Sequence, residues 1–269
     1  MSKKSRTSAG VPDNSMPERR YRKPPVVEVL CEIYFAESTW DDTIPGSFFE
    51  RVRKDFPNKR QREVQKAQVA FGPSEATVGV QRLPPWMQFV SKDGDRMVQI
   101  AENLLVVNQL RPYPHFEKWE SVVHQVVEIY RELAQPAKLA RLGLRYINRV
   151  VIPDARVKME DFFTIYPNLP SALGDTHGSF LVRVEVSRSE QRHTVLITFG
   201  TDPHHQPAKD EHVFMLDLYD ICQLDEPLDD VDLKNEIEHA HTNVVMGFED
   251  SITDRLRTLF EKEDNHDQP

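Results

Sequence analysis

The chain has 269 residues, 39% hydrophobic and 29% charged, with 34 Lys and Arg against 43 Asp and Glu for a formal net charge of −9. Such a length supports a sizeable core without covalent staples. The acidic balance argues against broad nucleic-acid binding, which needs cations to displace phosphate counterions, although it leaves room for a local basic patch.

Residues 1–23 are rich in Lys, Arg, Ser and Pro, lack apolar periodicity and read as a disordered basic tail; 263–269 read as a second disordered tail. The basic tail has no apolar h-region, so it is not a secretory signal. No stretch approaches the roughly 18 apolar residues of a membrane span, so the expectation is a cytoplasmic protein without membrane contact.

Order is predicted to begin after Pro24-Pro25. Over 26–35, Val27, Val29, Cys31, Ile33 and Phe35 share one parity while Glu28, Glu32 and Tyr34 take the other, the pattern of a half-buried strand with a buried Cys31 thiol. A short helix is expected near 45–56, ended by Pro57, then strands at 77–83, 86–91, 97–101 and 104–110. Lys92-Asp93-Gly94-Asp95 reads as a hairpin turn, because Asp-Gly suits the positive φ of tight connections. Pro112 and Pro114 stop the sheet, and Phe116, Trp119, Val123, Val126, Val127, Tyr130 and Leu133 recur at helical spacing over 115–134.

The same order follows again: a strand at 139–152, a short helix at 159–166, strands at 180–188, 193–200 and 211–220, and one long helix marked by Leu233, Ile237, Ala240, Val244, Phe248, Ile252, Leu256 and Leu259. The predicted fold is therefore α+β: a curved antiparallel sheet from two similar β-α-β(n)-α halves of one compact unit, 24–136 and 137–262, with long helices packed on one face. Phe48-Phe49 and Phe162-Phe163 read as core residues of the short helices. The element order resembles saddle-like, TATA-binding-protein-like or helix-grip folds, a likeness of shape that carries no function.

The most informative segment is 141–151. Arg141, Arg145 and Arg149 share a strand face with Gly143 and Ile147, opposite the apolar Leu142, Leu144, Tyr146 and Val150. Three guanidiniums in a row can clamp a phosphate or carboxylate, or can pair with acidic side chains of neighbouring strands such as Glu185. The corner Arg111-Pro112-Tyr113-Pro114 leads into the helix near His115; it either presents amides to an anion or is a rigid turn with Tyr113 packed beneath it. The candidate ligand-binding residues are thus Arg111, Tyr113, Arg141, Arg145 and Arg149.

Other constellations fail a spacing rule. Asp202, His204, His205, Asp210 and His212 crowd one Pro-bounded loop but match no established zinc pattern. His239 and His241, two apart on a helix, do not share a face. Cys31 and Cys222 are too far apart in sequence for a disulfide framework or a paired-cysteine zinc cluster. No nucleophile elbow, P-loop or dinucleotide fingerprint is present. No catalytic residue, cofactor or metal is therefore assigned.

Four segments in order carry a family resemblance: Pro24-Pro25-Val26-Val27-Glu28-Val29 with Cys31-Glu32-Ile33; Asn108-Gln109-Leu110-Arg111-Pro112-Tyr113-Pro114; Leu142-Gly143-Leu144-Arg145-Tyr146-Ile147-Asn148-Arg149; and His239-Ala240-His241 with Phe248-Glu249 and Ile252-Thr253-Asp254. Together they resemble the uncharacterised bacterial family described as "sporadically distributed protein", over about 24–260. The resemblance implies a patchy bacterial distribution of the kind seen in defence-associated and mobile genes, and no activity, cofactor or catalytic residue.

The expected function is a non-catalytic binding or accessory protein that engages a protein partner, itself included, or a ligand through its sheet face. The alternatives are a sensor or enzyme for a small anionic, nucleotide-like ligand and, less favoured, a nucleic-acid binder using the basic tail.

Overall fold

A computed structural model describes residues 19–71, 76–170, 172, 178–187, 192–204 and 210–261, without the side chains of 64–71, 76–84 and 230. Most of the two tails predicted as disordered, at 1–18 and 263–269, lies outside the described residues.

The chain is α+β with one antiparallel sheet. Its strands are β1 (Val26–Ala36), β2 (Asn58–Phe71), β3 (Ala76–Val90), β4 (Arg96–Ala101), β5 (Leu104–Leu110), β6 (Lys138–Ile152), β7 (Leu181–Ser187), β8 (His193–Thr201) and β9 (His212–Pro227). They lie in the order β2-β3-β4-β5-β1-β6-β9-β8-β7. The helices are α1 (Ile44–Val52), α2 (Phe116–Ala134), α3 (Met159–Phe162), α4 (Leu233–Ser251) and α5 (Asp254–Leu259). None of the described helices is long and apolar enough to cross a membrane.

The apolar stripes of α2 and α4 bury against the inward parity of the central strands. Trp119, Val123, Val126, Val127 and Tyr130 of α2 and Ile237, Ala240 and Val244 of α4 join Val29, Cys31, Ile33, Leu142 and Leu144 in one core. Burying a side chain of this kind contributes about 1.5–3 kcal/mol, so this face fixes which side of every strand points inward. A smaller cluster, Leu30, Ala101, Leu104 and Val106 beside Tyr34 and Trp86, lies on the other face and contains no helix residue.

That other face also carries a polar thread. Arg60 Nε donates to Gln88, Gln88 to Gln99, Gln99 to Asn108 and Asn108 to Glu28, at 2.6, 2.6, 2.8 and 2.7 Å. The chain of donors runs from a cation on β2 to a carboxylate on β1. It satisfies amides that would otherwise be costly to bury.

Several expectations are corrected. The polar run at 58–63 shows no apolar alternation, yet it opens the edge strand β2 along β3. β3 passes through Pro84-Pro85 as one strand, where two were expected, and the pairing register shifts between Arg62 and Val64 opposite this point. A bulge between Val26 and Glu28 puts Val26 in the core and leaves Val27 half-buried.

The long C-terminal helix is two helices. Ile252 is extended (φ −123°, ψ 154°) and bridges to Phe163, and Thr253 caps α5 by accepting from the Leu256 amide. The apolar spacing runs straight through this break, but Thr253-Asp254 is a start signal and local capping prevails. The predicted turn at Gly94 is present, with φ 76°.

Candidate functional site

β1 begins, and β5 and β6 end, at the same end of the sheet: Val26 lies opposite Asn148, and Glu28 opposite Leu110. Residues 19–25 run past this end. The amides of Arg22 and Lys23 donate to the carbonyls of Glu261 and Phe260 at 2.7 and 2.9 Å. Tyr21 stands edge-on to Phe248 and Phe260 and donates its hydroxyl to Glu249 at 2.7 Å. The last residues of the predicted tail are thus part of the fold.

A cleft of about 640 Å³ opens here, with Arg22, Lys23, Arg111, Tyr113, His115 and Arg149 in its wall and no Asp or Glu among the described residues that line it; Lys23 pairs with Glu261 beside it. Arg111 is fixed by two backbone acceptors, Nε to the Val26 carbonyl and a terminal nitrogen to the Pro25 carbonyl, both at 2.9 Å. Its peptide bond to Pro112 is cis. Burial, and then the neighbouring positive charge of Arg149, lower the Arg111 guanidinium from its ordinary value. The two guanidiniums face the same space.

Arg149 donates Nε to Asp202 Oδ2 at 3.1 Å. Asp202 also accepts from the His204 amide at 2.9 Å. Burial pushes the Asp202 carboxyl up, but the His204 amide and Arg149 outweigh it and hold the group below its ordinary value. Asp202 is therefore an ion-pair partner of the cleft arginine. Of the loop residues with it, His205 lies outside the described residues.

The five predicted site residues divide. Arg111, Tyr113 and Arg149 converge on the cleft. Arg141 and Arg145 share the strand face of Arg149 as expected but do not reach the cleft. Arg145 grips Asp217 with two parallel bonds of 2.8 and 2.5 Å, and Arg141 lies over the Tyr34 ring at 3.9 Å. Of the two readings of the stripe, pairing describes Arg145 and Arg149, and the carboxylates come from Asp217 and Asp202 rather than Glu185. Gly143 makes room in the same face, since a Cβ there would lie 2.6 Å from the Tyr219 hydroxyl.

Behind the cleft, Tyr113 and Tyr146 share a hydroxyl hydrogen bond of 2.7 Å, and Tyr146 is 3.1 Å from His241 Nδ1. His241 stacks on Phe116 with centroids 3.7 Å apart. His241 therefore fills the helix–sheet interface, whereas His239 is exposed. A smaller cavity of about 110 Å³ lies along this chain.

Sequence reasoning missed a second polar cluster, beneath α4. His193 Nδ1 is 2.6 Å from Asp220, Asn243 donates to Asp220 at 2.9 Å, and His193 Nε2 is 3.2 Å from Glu236. Burial opposes the charged imidazole of His193, but Asp220 and Cys222 outweigh it and raise the group to about 10. One signal was available. Phe214, Leu216, Leu218, Asp220, Cys222 and Leu224 share the inward parity of β9, and Asp220 is the charged residue in that row, fully buried.

No family model and no curated protein matches the chain.

Proposed function

We propose that this is a binding protein for a small anionic ligand, phosphate- or carboxylate-bearing, held in the cleft at the end of the sheet. The observation that carries the reading is the convergence of Arg111 and Arg149 on one cleft beside His115, with Arg111 held by the Val26 and Pro25 carbonyls and Arg149 by Asp202. The volume suits a small molecule, and the planar fork of arginine suits phosphate or carboxylate oxygens. Tyr21 and Tyr113 add aromatic walls, which is why a nucleotide-like ligand is a better fit than bare phosphate.

Arg149 belongs to the arginine-bearing face, so engagement through the sheet face is narrowed to its end. In this reading 24–136 and 137–262 are two β-α-β(n)-α halves that meet where β1 pairs with β6. In each half the first strand pairs with the last, β1 with β5 and β6 with β9. The cleft then lies where the two first strands meet the corner that closes the first half.

A thermal-shift titration with inorganic phosphate, citrate and nucleoside monophosphates tests the reading. At least one of these is expected to stabilise the wild type and the Arg141→Ala control, and to lose most of its effect on Arg149→Ala. If none stabilises the wild type, or if Arg149→Ala responds like the wild type, the cleft is not an anion site.

A further inference from the structure

The buried cluster beneath α4 has the donors and the spacing of a metal site. His193 opens β8 directly opposite Cys222 on β9, and Glu236, in the first turn of α4, closes over both. His193 Nε2 lies 3.2 Å and Cys222 Sγ 3.6 Å from the same oxygen, Glu236 Oε2. The three donor atoms all lie within 4.8 Å of one another. In a tetrahedral zinc site, bonds of about 2.0–2.1 Å to nitrogen and oxygen and about 2.3 Å to sulfur separate N from O by about 3.4 Å and S from O by about 3.5 Å. Both observed separations are close to these values.

The outer contacts are those a ligating histidine needs. Nδ1 is occupied by Asp220 at 2.6 Å, and Asp220 is held in turn by Asn243 at 2.9 Å, so Nε2 is turned toward the thiol and the carboxylate. Arg192 reaches the other Glu236 oxygen at 3.4 Å. We propose that His193, Cys222 and Glu236 form a binding site for a zinc-class divalent cation, with Asp220 and Asn243 as positioning residues.

Titration of the chelator-treated full chain with Co²⁺, followed by Zn²⁺, tests the site. The expected result is uptake saturating at one equivalent, a thiolate-to-cobalt charge-transfer absorption, and displacement of that absorption by Zn²⁺. Cys222→Ser is expected to lose the absorption, and Glu236→Gln to weaken Co²⁺ binding about tenfold or more. Circular dichroism would confirm that both variants keep the wild-type fold. Should Cys222→Ser fail to fold, Cys31→Ser decides, because it must keep the absorption if Cys222 is the ligand. Absence of saturable uptake would reduce the cluster to an ion-paired core. Uptake without the sulfur absorption would place the ion elsewhere, and either result overturns the site.

A different observation carries a second inference. β7 ends the sheet, and among the described residues no strand pairs with its outer edge. Leu181, Val184 and Val186 are 73%, 40% and 44% exposed there. The segment Val182-Arg183-Val184-Glu185-Val186 is self-complementary about Val184. In an antiparallel pair across a twofold axis, Arg183 faces Glu185 of the partner subunit and Val182 faces Val186 of the partner subunit. The valine row would then extend the apolar surface of Val195, Ile197 and Phe199 on β8, while two ion pairs form on the opposite face. We infer that a second copy of this chain adds to β7 by strand pairing.

Sedimentation velocity over a concentration series tests the pairing. The wild type is expected to dimerise weakly, because seven residues make a short interface. Arg183→Glu and Glu185→Arg alone are expected to be monomers, an equimolar mixture of the two to form the heterodimer, and the double exchange to restore the homodimer. A wild type that stays monomeric, or single exchanges that dimerise as well as the wild type, would overturn it.

Discussion

Arg145 and Arg149 stand on the same face of β6, four residues apart, yet they meet different surroundings. Arg145 sits in the interior of the sheet, where β9 brings Asp217 alongside, and both carboxylate oxygens are engaged. Those hydrogen bonds outweigh burial and raise the Arg145 guanidinium above its ordinary value. Arg149 sits where the sheet runs out. Its carboxylate comes from Asp202, just beyond β8, through one nitrogen, and its charge lowers the neighbouring Arg111. An arginine flanked by strands on both sides finds a partner at fixed register. At the end of the sheet only a loop can supply one, as the segment after β8 does with Asp202.

The contrast can be broken from the interior side first. Gly143→Ala would drive a methyl group against the Tyr219 ring and displace the hydroxyl that donates to Glu32. A loss of about 1–3 kcal/mol is expected by urea denaturation, with the response to anions unchanged. An unchanged stability would show that Tyr219 moves aside freely and that the interior is less fixed than its pairing suggests.

Asp217→Ala comes next. The Arg145 side chain is 39% exposed, so solvent screens part of the pair, and a loss of about 1 kcal/mol is expected. Anion affinity at the cleft should not change; if it falls, the interior pair and the cleft are coupled and the division between them fails. Asp202→Ala should destabilise the chain less than Asp217→Ala. It should nevertheless raise affinity for the stabilising anion a few-fold, because it releases Arg149. Equal stability losses in the two variants, without a gain in affinity, would make Arg149 a structural arginine like Arg145.

The same contrast marks what was legible in the sequence. Alternation on β1 and β6 and the helical stripe of α2 are local patterns, so the strands, the helix faces and the shared face of the three arginines could be read directly. Partners could not. Asp217 and Asp202 meet Arg145 and Arg149 through the pairing of β6 with β9 and of β9 with β8, registers that no local pattern specifies. The β2 edge was missed for the opposite reason: Asn58-Lys59-Arg60-Gln61-Arg62 has no apolar face to alternate, and cross-strand amides such as Gln88 and Gln99 give its neighbours their polar contacts. His193 and Cys222 become neighbours only when β8 lies against β9, although Asp220 on the buried parity already marked that position.

The smallest expected effect is a pH dependence confined to the cleft side. Asp202 is held below the ordinary carboxylate value of 3.8, so as pH falls the unfolded chain takes up this proton before the folded one. Its stabilising contribution is therefore complete above 3.8 and is lost as the pH drops through the lower folded value. Urea denaturation of the wild type and Asp202→Asn over an acid series should show a stability gap that is constant near neutrality and closes below that point. A second series in the Arg149→Ala background divides the causes. The gap should narrow without vanishing, because the His204 amide still donates to Asp202 when the guanidinium is gone. A gap that does not change in that background would mean that Arg149 contributes nothing to Asp202, and that the guanidinium belongs to the cleft alone.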